Sequence, residues 1–130
     1  MYAIAHIVYG TYVPSDLSVN VPIEELADIM KEEGLDETEI ETEYRLADWI
    51  SDGDVEPFEI NYRGGADHGI YAGIKIDEFD EVCDAIDIAT LKLSPTSEQY
   101  DEARAKIAMI PEWMREHLPP IGTYIVWSSS

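Results

Sequence analysis

Apolar residues recur along this chain with two distinct periods, and the changes between them predict its elements. Residues 2–13 run almost continuously apolar in Ile, Val and Tyr up to Pro14, as expected of a strand buried on both faces. Pro22 then precedes Ile23, Leu26, Ala27, Ile29 and Met30, a 3.6-residue spacing that stops at Gly34, so a helix is expected near 22–33. Ile40, Tyr44, Ala47 and Ile50 repeat at helical spacing, and Asp36 with Glu39 has the form of a capping box. A helix near 37–51 is the favoured reading, although Thr38, Ile40, Thr42 and Tyr44 also alternate with glutamates as a strand over 38–44 would.

Alternation returns at Phe58, Ile60 and Tyr62. The Gly64–Gly69 stretch then predicts a turn into Ile70, Ala72, Ile74 and Ile76, giving a hairpin of strands near 57–63 and 69–76. Phe79, Val82, Cys83, Ile86, Thr90 and Leu93 fall on one side of a helix expected near 78–92. Thr96 or Ser97 can cap a helix near 97–110 carrying Tyr100, Ala103, Ile107 and Ile110. Pro111 starts a further turn, and Ile121 opens a closing strand near 121–128. This order predicts one α+β domain over 1–130, a small, mainly antiparallel sheet packed with three to four helices.

Charge changes the picture, because it follows these elements unevenly. The 130 residues carry 28 acids against eight Lys and Arg, a formal charge of −20, yet 22 of the acids and only four bases lie between residues 24 and 87. With 45% hydrophobic residues the chain has enough core formers to fold regardless. A positive footprint for nucleic acid or anionic lipid is missing, so neither direct nucleic-acid binding nor membrane binding is expected. No apolar run reaches about 18 residues, the N-terminus has no basic leader, and Cys83 is the single cysteine, which together point to the cytoplasm.

The acids form rows. Glu24, Asp28 and Glu32 step by about 6 Å along one helical face, widened by Glu25 and Glu33. Glu37, Glu41, Asp48, Asp52 and Asp54 continue the acidity through the second segment. On a helix, Asp77, Asp80, Asp84 and Asp87 would share roughly an 80° arc, flanked by Glu78 and Glu81. Like charges at this spacing oppose folding by a few tenths of a kcal/mol per pair. Their simplest reading is the solvated outer face of amphipathic helices, but a soluble helix normally mixes signs, and 77–87 holds six acids and no base.

Small size, extreme acidity and localised Asp and Glu rows over residues 24–87 resemble the acidic DNA-mimic inhibitors that phages and mobile elements carry against restriction and other DNA-handling enzymes. The resemblance is one of kind, without a motif. It implies a non-enzymatic counter-defence protein of the host-cell cytoplasm, often a homodimer, whose acidic face blocks a basic nucleic-acid-binding protein. It implies no cofactor.

Other constellations carry less. Asp52, Gly53 and Asp54 superficially resemble a calcium loop, but the glycine is misplaced and no Glu stands at the twelfth position. His6, His68 and His117 lack ligand spacing, so no metal site is expected. No catalytic residue is assigned, because so many carboxylates make any chosen pair uninformative. An alternative is a small-ligand or enzymatic domain with a pocket near His68 and the tyrosines. Another is a self-associating accessory protein using Trp113 and Met114, residue types enriched at interfaces but equally at home in a core.

Overall fold

The computed structural model describes residues 3–34, 44–53, 55–61, 69–80 and 85–129. The fold is α+β, and the chain falls into two compact units, one formed by Met1–Pro14 with Glu56–Ser130 and the other by Ser15–Val55.

The first unit is built on a four-stranded antiparallel sheet. Its strands are β1 (Ala3–Val13), β2 (Glu59–Asn61), β3 (Gly69–Asp80) and β4 (Gly122–Ser129), in the order β2-β3-β1-β4. The apolar run of β1 is explained by its central place between β3 and β4. Ala5, Ile7 and Val8 are all fully buried, so both faces of this strand are covered. The expected hairpin is present, with Asn61 opposite Gly69. Its connecting residues, His68 among them, lie outside the described residues.

Helix α3 (Ser97–Ala108, after α1, Ile23–Glu33, and α2, Leu46–Gly53, of the second unit) packs on β3 and β1. It buries Ala103 and Ile107, and Tyr100 meets Tyr9 at 5.5 Å between ring centroids. Thr96 starts it with a full capping box, its hydroxyl accepting from the Gln99 amide and the Gln99 side chain accepting from the Thr96 amide. A short helix α4 (Glu112–Arg115) follows Pro111 and drives Met114 completely into the interior. On the other side of the sheet Val8, Tyr71 and Val126 form a core flanked by Tyr12 and Tyr124, whose rings meet edge to face.

Three glycines stand side by side in this sheet, and at two of them the neighbouring backbone leaves no room for a side chain. Gly10 lies opposite Gly73 on β3 and Gly122 on β4, one glycine row across three strands. A Cβ on Gly10 would collide with the Ala72 carbonyl oxygen, and one on Gly73 with that of Tyr9. Gly10 and Gly73 also have φ of 155° and 146°, values L-residues rarely take.

In the second unit, helix α1 (Ile23–Glu33) ends at Gly34, whose φ of 67° is the expected left-handed C-cap. Helix α2 (Leu46–Gly53) is shorter than the expected 37–51. Residues 37–43 lie outside the described set, but Tyr44 and Arg45 are not helical: Arg45 bridges Asn20, the Tyr44 carbonyl accepts from Val21, and the Leu46 amide donates to Val19. An extended partner thus claims the backbone groups that a longer helix would use. Leu26, Leu46 and Ile50 are buried.

Among the described residues of 78–92 the expected helix does not form; residues 81–84 lie outside them. Strand β3 continues to Asp80, and the described part of the remainder is coil around a 3₁₀ turn at Ile88–Thr90. Pairing with Ile4–Ile7 carries the strand onward past a bulge opposite Ile7 and Val8. Phe79, read as part of a helical face, instead stacks edge to face on Trp127 with Ala5 between them in the register.

Candidate acidic interface

The two units use their carboxylates differently. Ser15–Val55 holds 14 acids and two bases in 41 residues, whereas the sheet unit holds 14 acids and six bases in more than twice the length. In the acidic unit, helix geometry turns Leu26 inward and leaves Glu24, Glu25 and Glu32 exposed on α1. Asp48 is exposed in the first turn of α2, where its charge suits the helix dipole. None of these four forms an ion pair with a described residue. Asp28, Glu33 and Asp52 have their backbones in these helices, and nothing further is described for their side chains; Glu37, Glu41 and Asp54 lie outside the described residues.

The sheet unit ties down the described acids of β3 and the turn after it, and the third expected row is broken, whereas its Glu56, Glu98, Asp101, Glu102 and Glu112 are exposed and form no ion pair with a described residue. On a strand Asp77 and Asp80 point to opposite sides, so no common arc exists. The Asp77 carboxylate accepts from the Glu78 amide at 2.9 Å and from the Lys92 amide at 3.0 Å, fastening the segment after β3 to the sheet. Those backbone bonds, Lys92 first, hold its carboxyl below the usual aspartate range. Asp87 caps the 3₁₀ turn through the Ala89 amide. Asp80 is partnered as well. Glu81 and Asp84 lie outside the described residues.

Glu78 belongs to a cluster that hydrophobic patterning gave no sign of. It sits 3.4 Å from His6 Nε2 and 3.5 Å from Lys75 Nζ. Nearby, the Tyr71 hydroxyl donates to Glu59 at 2.8 Å, and the other Glu59 oxygen is 3.4 Å from Lys106 Nζ. Burial holds the His6 pKa below its ordinary 6.5, helped by Lys75 and opposed by Glu78 and Glu59. Burial and the bond to Glu59 push the Tyr71 hydroxyl well above the usual tyrosine range, so it serves as a donor. Register brings the pair together: with β1 and β3 paired antiparallel, His6 faces Glu78.

Met114, offered for self-association, is fully buried and belongs to the core, while Trp113 is half-buried. Among the described residues, no group of three His, Cys, Asp or Glu could hold a metal ion, and no helix is long and apolar enough to cross a membrane. Compared with protein-family models, curated proteins and solved structures, the chain matches none.

Proposed function

We propose that this is a non-enzymatic interaction protein whose Ser15–Val55 unit binds the basic nucleic-acid-binding surface of another protein and excludes its nucleic acid. The observation that carries the reading is the concentration of charge: Ser15–Val55 holds 14 acids against two bases in 41 residues, and its Glu24, Glu25, Glu32 and Asp48 are exposed and form no ion pair with a described residue, while Glu59, Asp77, Glu78 and Asp87 of the sheet unit have internal partners. Unpaired carboxylates on a folded surface are free to meet Lys and Arg spaced for phosphates. A DNA-handling enzyme of a host defence system is the specific partner that the likeness to DNA mimics suggests. Binding of this kind is electrostatically steered, fast, and weakened by salt.

The test is capture from a bacterial lysate on the immobilised protein at low salt, followed by elution with duplex DNA or with polyglutamate at matched charge. The expected result is a nucleic-acid-binding protein released preferentially by DNA, and lost when Glu24, Glu25 and Glu32 are together changed to Lys. Capture that survives this triple change, or that DNA does not displace, would remove the reading.

A further inference from the structure

A concavity of about 210 Å³ in the sheet unit has a chemistry unlike the rest of this acidic chain. Its lining includes the buried Ile107 of α3, Leu118, and the Pro119–Pro120 pair, with Ile121 40% exposed beside them. Arg115 is its single charged lining residue among the described residues. Although acids outnumber bases 28 to eight in the chain, Arg115 forms no ion pair with a described residue. Residues 88–130 around it are close to neutral, with five acids and four bases.

The walls are held in place before any ligand arrives. Thr11 donates its hydroxyl to the Pro119 carbonyl at 2.6 Å, tying the proline pair to β1. The Arg115 amide bonds to Pro111, the Leu118 amide bonds to the Arg115 carbonyl, and fully buried Met114 anchors the turn between them. A preformed apolar wall lowers the ordering cost of binding. An apolar cavity of about 150 Å³ accommodates benzene, so this one has room for a single ring and a short acidic arm. A guanidinium can grip a planar carboxylate through two parallel hydrogen bonds, and a carboxylate is the anion compact enough to share this volume with a ring.

We propose that this concavity is a binding site for a compact, one-ring apolar carboxylate, the ring packing on Ile107, Leu118 and the prolines and the carboxylate held by Arg115. The site is separate from the acidic surface and stands or falls independently of the function proposed above.

The test is an NMR titration of the whole chain with phenylacetate and, in parallel, with the neutral isostere phenylacetamide. Phenylacetate is expected to give saturable shifts at Thr11, Ile107, Leu118 and Ile121, with affinity about tenfold higher than the amide, the increment of one charge-assisted bond at a solvated site. Arg115→Gln, an exposed change, is expected to lower phenylacetate affinity about tenfold, to the level of the amide. Absence of saturable shifts at these residues, equal affinity for acid and amide, or an undiminished affinity in Arg115→Gln would each overturn the proposal.

Discussion

Replacing Gly10 by Ala tests the account of the sheet most directly. The added Cβ would stand 2.8 Å from the Gly73 Cα and 3.0 Å from the Ala72 carbonyl carbon, closer still to the Ala72 oxygen. Carbon atoms settle at about 3.5–4.0 Å, so β1 and β3 would have to part by roughly 1 Å at the middle of their register. Ladder bonds that begin near 2.9 Å then stretch beyond useful length, and two of them lost amount to about 2 kcal/mol. Holding an L-residue at φ 155° adds about 1–3 kcal/mol. The total, roughly 3–5 kcal/mol, is a large share of the 5–15 kcal/mol that typically stabilises a domain. For a chain of this size it corresponds to a fall in Tm on the order of 10–20 °C. Gly34→Ala is the control: φ there is 67°, but nothing lies within 4 Å of the new methyl group, so only the conformational cost of about 1 kcal/mol applies. Urea and thermal unfolding followed by circular dichroism would measure both. A Gly10→Ala protein melting within about 3 °C of the parent, or no less stable than Gly34→Ala, would refute the idea that the glycine row sets the strand approach.

Three further outcomes follow from other parts of the molecule. Thr96→Ala removes one half of the capping box of α3 and should cost about 1 kcal/mol in urea unfolding, with Thr96→Ser recovering most of it. His6 faces Tyr71, Lys75, Glu78 and Glu59, and its folded pKa lies below the unfolded 6.5 because burial favours the neutral ring. Its contribution is therefore complete above pH 6.5 and is lost as pH falls through the folded value, so the parent should lose more stability than His6→Gln between pH 7.5 and 5; equal slopes would count against that assignment. Finally, repulsion among the carboxylates is screened within about 8–10 Å at physiological salt, so the urea midpoint should rise with added NaCl. A flat response would show that the net charge of −20 is not a significant destabilising term.

Local periodicity was sufficient where one partner surface decides an element. Residues 2–13 read as a central strand because both sides must be apolar, and β1 is central. Gly34, Thr96 and Pro111 mark helix ends through backbone chemistry that needs no tertiary context, and all three do so in the structure. Residues 78–92 were misleading for a physical reason. Phe79, Val82, Cys83 and Ile86 have spacing that suits a helix, but Phe79 and Asp77 are claimed by Trp127 and by the Lys92 amide, partners far away in sequence. The start of α2 failed similarly, since the competitor for Tyr44 and Leu46 is the extended segment at Val19–Val21. The His6–Glu78 and Tyr71–Glu59 contacts were invisible because they depend on strand register, which a single sequence specifies only weakly.

The acidity itself is redistributed by this correction. Reading 77–87 as a helix makes one stripe of four aspartates, and of the three that are described the structure makes a backbone anchor of Asp77, a turn cap of Asp87 and a partnered strand residue of Asp80. Carboxylates that accept from backbone N–H groups stabilise the native fold, so reversing them to Lys would confound loss of binding with loss of structure. Glu24, Glu25 and Glu32 carry no such obligation. The triple change to Lys sacrifices no described bond and relieves like-sign repulsion along α1, but it gives up the favourable charge of Glu24 and Glu25 in the first turn, so it should cost no more than about 2 kcal/mol while it abolishes partner binding. A fall well beyond the dipole contribution of about 2 kcal/mol would mean that α1 depends on those carboxylates structurally, and loss of binding by the variant would no longer speak for the proposed function.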